Sequence, residues 1–164
     1  MEFLPERDIH RNVDLFSSQG QPLPMKATYV LLHTAAVGKA HIESCSGCIT
    51  RLEKLDANRA TIETLEGTRP LLWSPREAGK ETVAIQPYAP QDLDVFRSVE
   101  GTNSIELQSI GHPPRWDAFF SSQGIYRLTI VVSASRNSST KRLLINWRGK
   151  WNDFGVECDA SQAG

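Results

Sequence analysis

Residues 124–151, GIYRLTIVVSASRNSSTKRLLINWRGKW, contain the strongest alternation of apolar and polar residues in the chain. The first half places on one face Tyr126, Leu128, Ile130, Val132 and Ala134. The second half places on one face Leu143, Ile145 and Trp147. A period of two is typical of a strand with one buried side. Because residues 135–140 between the halves are polar, the stretch predicts an antiparallel hairpin with a loop of about four to six residues.

The rest of the chain repeats this pattern in shorter segments, with turn residues at intervals of roughly 8–12 residues. Strands are predicted at 27–37, 41–55, 60–66, 70–75, 81–87, 92–99 and 104–110. Neither face of 41–55 is cleanly apolar, so we expect a β-bulge at Gly47. A helix is the alternative in this region, since residues 50–66 are rich in helix formers. A single helical turn is expected within 116–124.

The spacing of strands and turns predicts an all-β fold, an antiparallel sandwich of about 7–9 strands or a barrel. No helix alternates with the strands, which argues against a doubly wound α/β fold. The 164 residues suit one domain. We expect an N-terminal arm or edge segment at 1–26, the sandwich at 27–153, and a polar, flexible tail at 154–164.

Charge and composition exclude several classes of function. The net charge is −1, so no strong field gathers nucleic acid or anionic lipid over the whole surface. The best local basic cluster comprises Arg136, Lys141, Arg142, Arg148 and Lys150. The first residues lack the apolar stretch of a secretory signal, and no apolar run approaches the ~18 residues that span a bilayer. We therefore expect a cytoplasmic protein that neither inserts into membranes nor binds nucleic acid.

One motif resembles a known structural element. Gly-x-Tyr-x-Leu at 124–128 is similar to the entry of strand F in immunoglobulin-like and fibronectin-type-III-like sandwiches. The resemblance implies that the Tyr126 hydroxyl caps the backbone of the preceding corner. Leu128 stands where an antibody domain has its second cysteine, so the domain would be a cysteine-free variant.

The wider layout resembles a group of uncharacterised bacterial proteins. The shared elements are YVLLHTA, CSGCITRLE, the L-W-x-P element from Leu72 to Pro75, LDV at 93–95, G-x-Y-x-L-x-I-x-V-x-A and L-x-I-x-W-x-G-x-W. These elements specify strands and turns more than chemistry. The resemblance implies an immunoglobulin-like sandwich used as an accessory or interaction module, with Trp73, Tyr126 and Trp147 as structural residues and no catalytic residues.

Cys45-x-x-Cys48 is the first candidate for chemistry. A zinc site needs four ligands, and no second such pair exists. A redox pair would precede a helix in a thioredoxin-like unit, which the pattern lacks. Structural cysteines are the preferred interpretation, with metal and redox roles as alternatives. We expect no metal and no cofactor.

Histidines and carboxylates give weaker signals. His10, His33, His41 and His112 form no spaced metal or catalytic motif. Asp92 and Asp94 share a strand face, with Glu100 nearby, and could bind calcium or act as an acid/base pair. The preferred interpretation is that they are solvated positions on an edge strand.

Tryptophans flanked by basic residues raise the question of ligand binding. Trp147 is expected in the core, with Trp151 capping the sandwich end and Arg148 and Lys150 protecting an edge strand. The alternative is a platform on which Trp151 stacks a sugar or base while the cations bind an anion. Trp116, beside Arg115, is expected to be a hydrophobic plug or an exposed anchor. The candidate contact residues are Arg115, Trp116, Arg148, Lys150 and Trp151.

The leading hypothesis is a non-catalytic module that binds a protein partner or self-associates through an edge strand or end loops. The loops at 111–119 and 135–140 and the segment after Trp147 are the first places to look. The alternative is a sandwich that binds carbohydrate or another small ligand through an exposed tryptophan. An enzyme with a site assembled across loops is the third hypothesis.

Overall fold

A computed structural model of the chain describes residues 1–2, 4–74, 81–111, 114–135 and 137–159. In chain order, the strands are β1 (Ile9–Phe16), β2 (Pro22–Thr34), β3 (Ile42–Leu55), β4 (Thr61–Pro70), β5 (Leu72–Trp73), β6 (Thr82–Ile85), β7 (Gln91–Val99), β8 (Glu106–Leu107), β9 (Gly124–Ala134), β10 (Asn137–Lys150) and β11 (Asp153–Cys158). The helical elements are α1 (Pro5–Asp8), α2 (Pro114–Asp117) and a 3₁₀ turn (Ala118–Phe120).

The strands form two antiparallel sheets, which confirms the predicted all-β sandwich with short helical turns. The first sheet has the order β1-β2-β7-β5, and β8 also pairs with β7. The second sheet has the order β11-β10-β9-β3-β4, and β6 also pairs with β3. The described residues contain 11 strands rather than about 7–9, because β1 and β11 form in the segments predicted as the N-terminal arm or edge segment and as the tail.

The core lies between the two sheets and follows the predicted alternation of the last hairpin. Apolar side chains of β9 and β10 are buried at alternating positions, Tyr126, Leu128, Ile130, Leu143, Ile145 and Trp147. They belong to one cluster with first-sheet residues such as Trp73, Leu93 and Phe96. Burying each such side chain stabilises the fold by about 1.5–3 kcal/mol.

The loop of this hairpin is shorter than predicted. Asn137 pairs with Ala134, and the pairing continues without a break to Trp147 and Gly124. The polar residues 137–140 are therefore part of β10 rather than of a loop, because serine and threonine on a solvated face are compatible with a strand. Arg136, included in the predicted basic cluster, lies outside the described residues, as do Pro75 and His112.

The predicted bulge at Gly47 is wrong. Gly47 pairs regularly with Val132, and the irregularities of β3 lie between Ile42 and Cys45 and between Ile49 and Arg51. A Cβ atom at position 47 would lie 2.5 Å from Cδ2 of Leu93 in the opposite sheet. The glycine is therefore explained by close packing of the two sheets.

The alternation of residues 92–99 predicts Leu93 and Val95 inside and Asp92, Asp94 and Phe96 outside. Leu93 and Val95 are core residues, but the prediction for Phe96 is wrong, because Phe96 is fully buried in the core. Phe96 pairs with Val30 and Asp94 pairs with Leu31, so Val95 is an extra residue that forms a bulge. The bulge reverses the alternation after residue 94.

The segment after residue 153 is a strand rather than a polar tail. β11 pairs with β10, and its Phe154 and Val156 side chains are buried. β11 has six residues and only two buried apolar side chains, so its alternation is too weak to predict a strand. Residues 160–164 of the predicted tail lie outside the described residues. At the other end, β1 forms the edge of the first sheet.

Candidate functional site

The end of β10 forms part of the scaffold. Trp147 is 2% exposed, and its indole N–H donates to the Lys150 carbonyl at 3.1 Å. Arg148 is exposed and pairs with Asp153 at 3.1 Å, while Trp151 is half-buried at the turn into β11. β10 is an inner strand of the second sheet, because β11 pairs with one of its edges and β9 with the other. The expectation that Arg148 and Lys150 protect an edge strand is therefore wrong.

Trp116 occupies a buried position beside β4. Its indole is 7% exposed, and the Arg69 guanidinium carbon lies 6.0 Å from the ring centroid. The ring carbon Cζ2 lies 3.5 Å from the position of a Cβ atom at Gly67. This geometry fits the plug rather than the exposed anchor. Arg115 is exposed. Trp116 packs beside Gly67 and Arg69 of β4, whereas Arg148 pairs with Asp153 of β11.

Tyr126 has the geometry that the resemblance implies for a tyrosine corner. Its hydroxyl donates to the carbonyl of Ser122, four residues earlier. The Phe120 ring lies 4.7 Å from the Tyr126 ring, and Phe119 lies 6.1 Å away. Burial raises the pKa of the Tyr126 phenol above its ordinary value of 10.0. The residue therefore supports the corner before β9.

Trp73 is completely buried in the first sheet. Among the described residues, its indole N–H has no hydrogen-bond partner. Its complete burial fits a structural residue of the core.

The cysteine pair is not arranged for chemistry. Cys45 is buried and Cys48 half-buried, and burial raises the pKa of both thiols, which lowers their thiolate fraction at neutral pH. Cys45 donates weakly to the carbonyl of Ile42 at 3.6 Å. In the part of the chain that the structure describes, no group of three or more His, Cys, Asp or Glu side chains could hold a metal ion.

A cavity of about 260 Å³ opens at the end of the sandwich that carries the turn between β9 and β10, one of the places where we expect binding. Its lining includes Ser138 and Ser139 of β10, Val37 after β2, and the buried Cys45. The hydroxyl groups and apolar side chains give it little specific chemistry.

The hairpin of β1 and β2 carries exposed apolar side chains that the sequence reading did not single out. We call Phe16, Leu23 and Met25 the hairpin patch; they are 60%, 39% and 38% exposed. Phe16 pairs with Pro22, so strand alternation places Phe16 on one face of the hairpin and Leu23 and Met25 on the other, near the turn. The end of the hairpin therefore exposes large apolar side chains on both faces, and such side chains mark interaction surfaces more often than isolated ones do.

This hairpin extends beyond the rest of the first sheet. The pairing of β2 with β7 begins at Ala27 and Val99, and Lys26 forms the last contact. There the Glu100 carboxylate accepts from the Lys26 N–H at 3.0 Å, and the Glu100 N–H donates to the Lys26 carbonyl at 2.7 Å. These hydrogen bonds fix the base of the hairpin. Residues 22–25 lie beyond Val99, the last residue of β7.

A second surface feature, the polar pocket, lies on the face of the first sheet opposite to the core. Val30 and Leu32 of β2 are core residues, so the alternating Tyr29, Leu31 and His33 point to the other face. The pocket has a volume of about 500 Å³, and its polar lining comprises His10, Tyr29, Ser74, Asp92, Asp94, Arg97 and Gln108.

Strand register explains how these residues come together. His10, Tyr29, Arg97 and Glu106 form one row across β1, β2, β7 and β8. In an unbroken strand, residues three apart point to opposite faces. The bulge at Val95 instead allows Asp94 and Arg97 to line the same pocket.

Side-chain hydrogen bonds hold both sides of the pocket. The Asp92 carboxylate lies 2.8 Å from the His33 ring nitrogen, and Arg97 Nε donates to Glu106 at 2.8 Å. Desolvation by burial lowers the pKa of Arg97. Its interactions with Glu106 and Tyr29 have the opposite and larger effect, so the pKa of Arg97 is raised and the guanidinium stays charged. β7 is a central strand and Asp94 is 5% exposed. The expectation of an edge strand is therefore wrong, and so is the expected solvation of Asp94, whereas the Asp92 side chain is 41% exposed.

Comparison with protein-family models, curated proteins and solved structures finds no match. The resemblance to immunoglobulin-like sandwiches and to uncharacterised bacterial proteins stays a prediction. Every helix among the described residues is too short to cross a membrane.

Proposed function

We propose that this protein is a non-catalytic β-sandwich module that associates with a second copy of itself through the hairpin patch. The observation that carries the proposal is the 60% exposure of Phe16, on a hairpin whose second strand also exposes Leu23 and Met25 on the opposite face. Transfer of such side chains out of water is favourable by about 25 cal/mol per Å² of apolar area. A projecting hairpin is accessible to another molecule without rearrangement of the sandwich.

Charge favours a second copy as the occupant. Asp14 and Lys26 lie opposite each other at the base of the patch, with Lys26 Nζ 3.8 Å from Asp14 Oδ1. In a two-fold association each surface meets its own copy, so the Asp14 of one copy can face the Lys26 of the other. The net charge of −1 adds little repulsion between copies.

Side-chain packing fits this surface better than the addition of a strand. Pro22 and Pro24 have no N–H group, so this stretch of β2 offers few donors to an incoming strand. The proposal therefore places the contact energy in Phe16, Leu23 and Met25.

Sedimentation velocity over a wide concentration range tests the proposal. The wild type should shift from monomer toward dimer, whereas Phe16→Ser should remain monomeric. Ile62→Ser is a matched control, because Ile62 is 64% exposed on β4 of the other sheet. A wild type that stays monomeric, or an equal effect of both substitutions, would overturn the proposal.

A further inference from the structure

We propose that the polar pocket of the first sheet is a binding site for a neutral saccharide. The volume of about 500 Å³ falls in the range of small-molecule sites, roughly 300–1,000 Å³. This site is separate from the hairpin patch and does not depend on self-association.

Two polar side chains lie deep in the pocket. Asp94 is 5% exposed and Gln108 is 2% exposed, although both line an open pocket. The residues directly opposite Asp94 on its two neighbouring strands are Leu31 and Leu72. The Asp94 carboxylate therefore lies deep in the pocket, between apolar neighbours, rather than at its rim. Such a placement provides an acceptor inside the pocket.

The mixture of donors and acceptors indicates the class of ligand. Asp92 and Asp94 supply carboxylate acceptors, and Arg97 supplies guanidinium donors. Tyr29 and Gln108 can each donate and accept. An anion would meet two carboxylates, and a cation would meet the charged Arg97. A neutral ligand with several hydroxyl groups can use both kinds of partner, because each hydroxyl donates and accepts.

The pocket also has an apolar part, which suits the C–H faces of a sugar ring. Leu31 and Val13 line the pocket together with the Tyr29 side chain. A sugar ring has C–H groups on its faces and hydroxyl groups around its edge, so it suits a lining of apolar and polar parts.

The polar groups are held in place before a ligand arrives. Asp92 is held by His33 and Arg97 by Glu106, each at 2.8 Å. The Gln108 side chain donates to the Glu106 carbonyl at 3.3 Å, and its backbone N–H donates to the Val95 carbonyl at 3.0 Å. Such preorganisation lowers the entropy lost on binding.

A two-dimensional ¹H–¹⁵N spectrum of the whole protein, titrated with neutral mono- and disaccharides of the common hexoses and pentoses, tests the site. At least one sugar should cause saturable shifts in the amides of Leu31, Asp94 and Arg97. Glucose 6-phosphate and glucosamine serve as anionic and cationic probes. Saturable shifts with a charged probe alone, or with no member of the panel, would overturn the proposal.

A matched pair of variants checks the assignment. Asp92→Asn should weaken the binding of the responding sugar about tenfold, which corresponds to about 1.4 kcal/mol. Asp153→Asn should leave the affinity unchanged. The two side chains are 41% and 39% exposed, and each pairs with a basic residue. Equal affinities of the wild type and a folded Asp92→Asn variant would contradict the site.

Discussion

Leu93 of the first sheet fills the space that a side chain at Gly47 of the second sheet would occupy. A Cβ atom there would lie 2.5 and 2.6 Å from the two methyl carbons of Leu93. Leu93 is completely buried, so its methyl groups cannot move into solvent. Position 47 therefore sets how closely the two sheets approach.

Gly47→Ala should destabilise the fold by about 1–3 kcal/mol, because extra volume in a packed core forces side chains or backbone to shift. Gly155→Ala is the control, since a Cβ atom at position 155 meets nothing within 4 Å. Urea unfolding followed by tryptophan fluorescence gives both values. Equal stability of the Gly47→Ala variant and the wild type would show that the two sheets accommodate a methyl group at position 47 without strain.

Tyr126→Phe should cost about 1 kcal/mol at neutral pH, because the bond from the hydroxyl to the Ser122 carbonyl is lost. The difference should depend on pH. Burial raises the folded-state pKa above 10.0, so the folded chain holds the phenol proton to a higher pH than the unfolded chain does. The stabilisation is complete below pH 10 and is lost as the pH rises through the folded-state pKa.

Unfolding free energies from about pH 8 to about pH 11 test this dependence. The difference between the wild type and Tyr126→Phe should shrink above pH 10. Tyr88 is 91% exposed, so Tyr88→Phe should match the wild type throughout. A difference for Tyr126→Phe that stays constant over the whole range would contradict the pKa shift.

Iodide should quench the tryptophan fluorescence weakly, because Trp73, Trp116 and Trp147 are buried. Trp151→Phe should remove the most accessible component, since Trp151 is half-buried. Trp116→Phe should leave the quenching slope unchanged. A lower slope in the folded Trp116→Phe variant would return Trp116 to the candidate ligand contacts.

The hairpin of β9 and β10 was predictable because each strand carries a long alternation with one apolar face. The same rule failed in β7, where one extra residue at Val95 moves Phe96 into the core. A bulge depends on the partner strand and leaves no mark in the local pattern. β11 is short, and only Phe154 and Val156 mark its buried face.

The two surface features were not predictable for a different reason. The polar pocket requires the strand order β1-β2-β7 and the register that sets His10, Tyr29 and Arg97 in one row. A single sequence specifies neither order nor register. The hairpin patch had a signal in Phe16, Leu23 and Met25, but exposure follows only once β2 is seen to extend beyond β7.

The most direct test of self-association through the hairpin is disulfide cross-linking between copies. Gln19 lies in the turn between β1 and β2, and Asn58 lies in the turn between β3 and β4; both are exposed. Each is replaced by cysteine in a Cys158→Ser background, because Cys158 is an exposed thiol. Under mild oxidation, Gln19→Cys should form a covalent dimer much faster than Asn58→Cys, and adding Phe16→Ser should abolish the difference. Equal rates for the two cysteines would contradict the account.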